Sequence, residues 1–279
     1  MGLDTYVPSL WAPALLAPLY KSFVFGSAVN RDYQGMITQM GDSVRINEIG
    51  NVTISDYSKY GALDWQELST AQKTLLIDQA KSFSFAIDNI DTVQAAGKDS
   101  MTKAMTNAGN GIADEIDQHI AGLYTDAGIT VSAVTPSAGS ILQWVADCAE
   151  GLNEANANTN GRIMILPPKA ITLLTLAVSG GISTTGVPKT FDNGVLVNGW
   201  VGEIFGFNIL MSNNVQTSSS TVHQPMFMTR EAISFAGQIT KLKAVEREDY
   251  FDEGMKGLYV YGSKVVRPAI LGTSAMTLT

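Results

Sequence analysis

Three acidic residues near the middle of the chain are the first candidates for chemistry. Asp114 and Asp117 are three positions apart, so on a helix they share one face, and Glu115 lies between them. Paired carboxylates can exchange protons or bind a metal ion, but no second segment rich in metal ligands accompanies this one. We therefore interpret these carboxylates as a charged helix face that is solvated or forms ion pairs with another subunit.

The residue types that nucleophilic catalysis needs are scarce in this chain. Cys148 is the only cysteine, and His119 and His223 are the only histidines. The Gly-x-Ser-x-Gly motif of a serine nucleophile does not occur. Cys148 lies in the apolar segment 145–149, which is typical of a buried structural thiol. We therefore predict that the protein is not an enzyme, with no catalytic, cofactor-binding or metal-binding residue and no cofactor.

One glycine-rich segment, Gly180–Gly186, is superficially similar to a phosphate-binding loop. It lacks the Gly-Lys-Ser/Thr ending whose lysine and hydroxyl would contact phosphate and metal. We therefore predict a flexible loop over residues 179–188.

The composition narrows the class of protein. Charged residues make up 16% of the chain and hydrophobic residues 45%, whereas about a quarter of a typical soluble protein is charged. This low charge predicts that other chains cover much of the surface. The formal net charge of -8 disfavours specific DNA binding, which normally needs a basic surface, but merely enclosing DNA needs none. No apolar run reaches the roughly 18 residues of a membrane-spanning helix, so we expect no membrane association.

The first 41 residues are an apolar segment that prolines interrupt. Pro8, Pro13 and Pro18 prevent a long regular helix there. An apolar segment that stayed exposed would favour aggregation, so we predict an arm that docks on a neighbouring surface.

Two segments with the alternation of β-strands follow the arm. The first covers residues 42–54 and the second residues 73–87, and a polar stretch at 55–70 separates them. We predict a long two-stranded hairpin with a broad tip. An isolated hairpin of that length is only marginally stable, so it needs a partner surface within the chain or on a neighbour.

The strongest helix signal covers residues 100–126, where apolar residues recur at spacings of three and four. They are Met101, Ala104, Met105, Ala108, Ile112, Ile116, Ile120 and Leu123. The pair Asp91-Thr92 can cap the N-terminus of this segment, and Gly128 can end it. At 1.5 Å per residue the predicted helix is roughly 40 Å long.

The rest of the chain alternates between short helices and strands. We predict helices over 141–152, with Ser140 as N-cap, and over 170–177, started by Pro168. A polar loop is expected at 212–221. The predicted strands are 162–166, 195–197, 203–210, 226–229, 239–247 and 258–266, the last closed by Arg267-Pro268.

This series of elements resembles the Hong Kong 97-type fold of tailed-bacteriophage major capsid proteins, which encapsulins share. Several segments are similar to those of such coat proteins as they stand: Gly-Asp-Ser-Val-Arg-Ile at 41–46, Phe-Ser-Phe-Ala-Ile-Asp-Asn-Ile-Asp at 83–91, Asp-Glu-Ile-Asp at 114–117, Gly-Glu-Ile-Phe-Gly-Phe-Asn-Ile-Leu-Met-Ser-Asn at 202–213, and Tyr-Val-Tyr-Gly-Ser-Lys-Val-Val-Arg-Pro at 259–268. We therefore expect an α+β Hong Kong 97-like capsid fold.

The resemblance implies a division of the chain. Residues 1–41 would form an N-terminal arm, and 42–87 an extended loop built as a β-hairpin. Residues 88–136 would form a peripheral domain with a long spine helix, and 137–221 an axial domain. Residues 222–279 would return as strands of the peripheral domain.

The implied function is a major capsid protein that self-assembles into the icosahedral head shell enclosing phage double-stranded DNA. Its partners would be copies of itself in pentamers and hexamers, portal and scaffolding proteins, and a decoration protein. It would enclose DNA without sequence-specific binding. The protein would reside in the virion after assembly in the host bacterial cytoplasm. The alternatives are an encapsulin-type nanocompartment shell, or a tail-tube or decoration protein, which would not need so long a spine helix.

Some capsids of this fold join subunits through a Lys–Asn isopeptide bond that a buried carboxylate catalyses. Lys59 and Lys73 lie in or near the predicted hairpin tip and are the available lysine donors. No acceptor asparagine or catalytic acid can be matched to a position in this chain. We therefore expect a shell held together without covalent crosslinks.

Overall fold

The protein is described here by a computed structural model. The described residues are 23–33, 41–49, 52–54, 56, 59–60, 65–67, 70–88, 100–180, 200–246 and 252–278. Most of the predicted arm, the Asp91-Thr92 cap, the glycine-rich loop after residue 180 and the predicted strand at 195–197 lie outside these ranges.

Within the described ranges the chain forms four α-helices and thirteen strands. The helices are α1 (Phe25–Ala28), α2 (Ser100–Ala121), α3 (Ile141–Glu154) and α4 (Pro168–Gly180). The strands are β1 (Ser43–Ile49), β2 (Thr70–Leu76), β3 (Gln79–Asp88), β4 (Ile129–Val134), β5 (Arg162–Leu166), β6 (Trp200–Ile204), β7 (Phe207–Met211), β8 (Thr217–Ser219), β9 (Val222–His223), β10 (Met226–Thr229), β11 (Ile233–Glu246), β12 (Asp252–Val265) and β13 (Leu271–Thr277).

The centre of the molecule is an eight-stranded mixed sheet with strand order β6-β7-β5-β10-β13-β9-β8, in which β4 also pairs with β13. Every residue of β5 is buried, because both faces of this sheet are covered. Met164 and Leu166 point into an apolar cluster formed with α3 and α4. Ile163 and Ile165 point into a second cluster, formed with α1 and the end of α2. The sheet therefore separates two cores.

Strands β11, β12 and β3 form a three-stranded sheet, and β1 and β2 form a two-stranded hairpin. The buried residues of the hairpin, including Val44, Leu75 and Ile77, pack against Ala236 and Val260 of the three-stranded sheet. The hairpin is thus partly supported by its own chain, as the marginal stability of isolated hairpins requires.

The prediction of one long strand over residues 73–87 is wrong. The chain leaves the hairpin after β2 and enters the three-stranded sheet at β3, where it pairs with β12. Ile77 lies at the crossing, where its N–H donates to the carbonyl of Asp42. The alternation of apolar side chains continues with the same parity on both sides of this crossing, so the pattern carried no signal of the break.

The single strand predicted over 203–210 is also wrong, because Phe205 and Gly206 turn the chain with φ of 49° and 79°. These left-handed conformations form the tight turn of the hairpin β6–β7. The polar loop predicted at 212–221 contains strand β8.

Strands β4 and β13 were not predicted, although β13 lies inside the central sheet. Its residues include Gly272 and Ser274, which are poor strand formers. Gly272 has no side chain because the ring of Phe227 occupies the space that one would need.

Other predictions are confirmed closely. Strand β5 has the predicted bounds, and α3 and α4 extend the predicted helices by a few residues. Ser140 is the N-cap of α3 by position, but its hydroxyl accepts from the N–H of Ser137 instead of capping the helix. The long helix α2 ends at Ala121, and a 3-10 segment, Gly122–Asp126, continues it.

Candidate assembly site

The carboxylate of Asp117 holds the first turn of α1 against the long helix α2. Its Oδ2 accepts hydrogen bonds from the N–H groups of Val24 (2.7 Å) and Phe25 (3.3 Å), and its Oδ1 accepts from Gly26 (2.9 Å). The first N–H groups of a helix have no partner within the helix, so this side chain supplies one from another element. Asp117 is 1% exposed, and the interpretation of its carboxylate as solvated or ion-pairing with another subunit is therefore wrong.

Two opposing effects act on the Asp117 carboxylate, and burial is the larger of them. Burial raises the pKa of Asp117 above its ordinary value, and the three backbone N–H groups act in the opposite direction.

The space beside the Asp117 carboxylate is also filled, since a side chain at Gly26 would come within 2.9 Å of the Arg31 guanidinium. That guanidinium lies 5.6 Å from the ring centroid of Phe235, a cation–π distance.

Apolar packing and backbone pairing complete the attachment of residues 24–30, which we call the arm anchor. Val24, Phe25 and Ala28 are buried in the cluster that contains the end of α2. Asn30 forms a parallel bridge with Ser234, in which the N–H of Asn30 donates to Ile233 and its carbonyl accepts from Phe235. The arm anchor therefore fixes the place at which the N-terminal segment joins the body of the subunit.

The two neighbouring carboxylates contact other parts of the chain. Asp114 accepts from the side-chain amide of Asn214 at 2.7 Å and from that of Gln118 at 2.8 Å. Glu115 forms an exposed ion pair with Lys81 of β3 at 2.5 Å. Each of the three acids thus ties α2 to a different segment, which is a structural role. Sequence reasoning missed this because the partners of Asp117 lie more than ninety positions away.

The connection between β1 and β2 exposes large apolar side chains. Its described residues, 52–54, 56, 59–60 and 65–67, are called the hairpin end. Ile54, Tyr60 and Trp65 are 95%, 91% and 93% exposed. The N–H of Thr53 donates to the side-chain oxygen of Gln66 at 2.7 Å, which links the two sides of the connection. Several large apolar side chains exposed to this degree in one short connection are typical of an interaction surface.

The two lysines considered for crosslinking have different surroundings. The ammonium group of Lys73 donates to the carbonyl of Val266 at 2.5 Å and is partly buried. The ammonium group of Lys59 lies 5.2 Å from the ring centroid of Tyr60 in the exposed hairpin end. Lys59 is therefore the more accessible of the two amines.

The residues considered for nucleophilic chemistry are buried or half-buried. Cys148 is fully buried, and burial raises the pKa of its thiol far above the ordinary value, so the reactive thiolate is disfavoured. His119 packs edge-on against Tyr261 at 5.3 Å between ring centroids, and burial lowers its pKa. Burial also lowers the pKa of His223. Within the described ranges, no helix combines the length and apolar character needed to span a bilayer.

The fold and these surfaces define a class of protein. This α+β subunit has the Hong Kong 97-like capsid fold, and solved capsid structures share it across nearly the whole chain. Residues 72–271 match the family model described as phage capsid protein. Because this match covers well over half of the chain, the protein belongs to the phage capsid protein family.

Solved structures agree with this assignment. The chain is similar to a chain from Mycobacterium phage Che8, with 29% identity, a TM-score of 0.77 and 98% of each chain covered. It shares its fold with the capsid of the cyanophage P-SCSP1u, at 16% identity and a TM-score of 0.73, covering 99% of this chain and 94% of that one. The mature capsid of bacteriophage PhiM1 also has this fold, at 14% identity and a TM-score of 0.68, with 98% and 92% covered. A search of curated proteins found no match.

The family and the fold together establish the general function. The protein is a major capsid protein that associates with copies of itself to form the shell of a virion. The alternatives of a nanocompartment shell, a tail-tube protein or a decoration protein are not supported by this family match. The family implies a structural role for the protein.

Proposed function

We propose that this protein builds an icosahedral head shell of pentamers and hexamers around double-stranded DNA. The proposal rests on the exposure of the hairpin end, whose large apolar side chains are not buried by other described residues of the chain. Burying them requires a neighbour, and obligate assemblies gain their stability through such large apolar interfaces. Repeated interfaces between identical subunits close into shells when their rotations close.

The division of labour within the subunit follows the same proposal. Residues 1–41 serve as the N-terminal arm, and 42–87 supply the extended loop. The peripheral domain consists of 88–136, with the spine helix, and the returning strands of 222–279. Residues 137–221 form the axial domain, whose loops meet around the symmetry axes. The contact of Asp117 with the arm anchor supports this, because it joins the arm to the spine helix.

The DNA inside the shell is enclosed and not bound to specific sites. A subunit with a net charge of -8 has no strong electrostatic attraction for phosphates, so filling the shell requires DNA to be driven in through a portal protein. A scaffolding protein directs assembly in the host bacterial cytoplasm, and a decoration protein is a further partner. No residue of the chain is catalytic, and non-covalent contacts hold the shell.

Electron microscopy of the full chain, expressed alone and together with a scaffolding protein, tests the proposal. The expected result is closed particles of one defined size, and uniform monomers under both conditions would contradict it. The nucleic acid of native particles is then treated with nuclease, and protected double-stranded DNA is expected. Denaturing electrophoresis of the same particles should give a single monomer band, whereas a ladder of multimers would show covalent crosslinking.

A further inference from the structure

A polar cleft of about 590 Å³ lies at the start of β5. Its lining residues come from the loop before β5, from β7, from the end of β10 with the turn that follows it, and from the segment after β12. The charged residues of this lining are Arg230, Arg267 and Glu231. Two positive charges and one negative charge give the cleft a small positive net charge, although the whole chain has a net charge of -8.

The loop before β5 is held in place by a buried arginine. The guanidinium of Arg162, which is 2% exposed, donates to the backbone carbonyls of Ala157 and Asn158, both at 2.8 Å. The side-chain oxygen of Asn158 accepts from the N–H of Asn160 at 3.0 Å. Asn160 and Gly161 then form an exposed turn that leads into β5. The backbone of the loop is therefore fixed, while the side chain of Asn160 is open to water.

The turn before β5 requires a glycine directly after Asn160. Gly161 has a φ of 74°, a conformation that residues with a side chain rarely adopt, and the space beside it is open. Asn156 and Asn158 of the same loop are followed by larger residues. Because glycine has no Cβ, its backbone nitrogen can approach the side-chain carbonyl carbon of the preceding residue. The fold thus retains a reactive Asn-Gly pair at an exposed position.

We propose that Asn160 is a site of spontaneous deamidation and that the carboxylate it produces pairs with Arg230. The backbone nitrogen of Gly161 attacks the side-chain carbonyl carbon of Asn160, and the new C–N bond closes a succinimide ring. The bond from that carbon to the side-chain nitrogen breaks, and this nitrogen leaves as ammonia with the proton lost by the backbone nitrogen. One water molecule then opens the ring and leaves aspartate or isoaspartate, each with one carboxylate.

The cleft supplies what the reaction and its product need. Its volume far exceeds the roughly 30 Å³ that one water molecule occupies in the liquid, so water has access to the ring. Arg267 is already paired with Glu231 at 2.7 Å. Arg230 makes a long contact of 3.5 Å with the carbonyl of Ser27, so its guanidinium is the better placed to accept a new carboxylate. The resulting ion pair joins the start of β5 to the turn Arg230–Ala232 before β11.

The same dipeptide in the long helix provides an internal comparison. Asn110-Gly111 lies within α2. There the backbone N–H of Gly111 donates to a carbonyl one turn earlier, and the helical backbone keeps its nitrogen away from the Asn110 side chain. Two further Asn-Gly pairs, at 193–194 and 198–199, lie outside the described ranges. The structure therefore predicts different rates for two pairs of identical local sequence.

Peptide mapping by mass spectrometry of the full folded chain, incubated at mildly alkaline pH, tests the site. Asn160 should deamidate at least about tenfold faster than Asn110, because reaction at Asn110 requires local opening of α2. In urea that unfolds the chain, the two rates should become similar. Equal rates in the folded chain, or a difference that persists unchanged in urea, would overturn the proposed site.

The pairing of the product with Arg230 is tested by thermal unfolding. Asn160→Asp, which carries the product carboxylate, should raise the Tm by about 1–2 °C, as an exposed ion pair does in a chain of this size. The rise should disappear when Arg230→Gln is combined with it. Lys264→Gln is the matched control, because it removes an exposed positive charge that does not line the cleft, and it should leave the rise intact. An unchanged or lower Tm for Asn160→Asp, or the same rise with Arg230→Gln, would overturn the pairing.

Discussion

The central sheet and the hairpin end use apolar residues in opposite ways. In β5 and β10 every residue is buried, and each strand contributes alternately to two cores within one subunit. In the hairpin end, Ile54 and Trp65 are more than nine-tenths exposed. The first region therefore stabilises the subunit, and the second can be stabilised only by a neighbour. Substitutions in the two regions should separate folding from assembly.

The largest effect on folding is expected in the central sheet. Phe227 is fully buried, its ring fits over Gly272, and it packs edge-on against Phe207. Phe227→Ala should lower the free energy of unfolding by about 3–5 kcal/mol, through lost burial and the cavity it leaves. Urea unfolding followed by circular dichroism measures this. If Phe227→Ala lowered the free energy of unfolding by less than a substitution at an exposed position does, Phe227 would not belong to the core.

A smaller but still large loss is expected where the two regions are joined. Asp117→Ala leaves three backbone N–H groups of the arm anchor without their acceptor, and should cost about 2–4 kcal/mol of subunit stability. Limited proteolysis should then cut the chain near residue 24 faster than in the wild type. Glu115→Ala, which removes only an exposed ion pair on the same helix, is the control and should change neither measurement. Equal protease rates for Asp117→Ala and wild type would contradict the anchoring role.

A modest pH dependence of stability is expected from the half-buried His119, which packs against Tyr261 of the three-stranded sheet. Burial lowers the pKa of His119 below its ordinary value of 6.5, so below pH 6.5 the unfolded chain binds more protons than the folded subunit. Stability should be constant above that pH and decrease as the pH falls from about 6.5 towards 5.5. His223 acts in the same direction. In His119→Phe this decrease in stability should be smaller than in the wild type. Unfolding curves at the two pH values measure it, and an equal decrease in variant and wild type would show that His119 has no part in it.

The smallest effect on folding should come from the most exposed aromatic residue. Trp65→Ala should change the free energy of unfolding of the isolated subunit by no more than about 0.5 kcal/mol. The Tm should therefore stay nearly unchanged. The yield of closed particles, measured by sedimentation, should nevertheless fall clearly, because the side chain is buried only in the assembly. Leu176→Ala, on an exposed position of α4, is the control for a general loss of apolar surface. A wild-type yield of closed particles for Trp65→Ala would show that this residue of the hairpin end has no part in assembly.

Elements with strong local signals could be predicted from the sequence. Strand β5 is a continuous apolar run, and α3 and α4 combine the spacing of one apolar face with Ser140 and Pro168 at their starts. Strand β13 could not be predicted, since it contains Gly272, a poor strand former that the distant Phe227 ring requires at this position. The division between β2 and β3 was hidden because the alternation of side chains continues across it. The Asp117 contact depends on the folded arrangement of distant segments, which no local pattern encodes.

A cryo-electron microscopy map of assembled particles of the full chain tests the role of the hairpin end most directly. We predict that the hairpin end of every subunit lies on a neighbouring copy, with Trp65 buried there, while the arm anchor stays on α2 of its own subunit. Closed particles in which the hairpin ends point into solvent and contact no other subunit would contradict it.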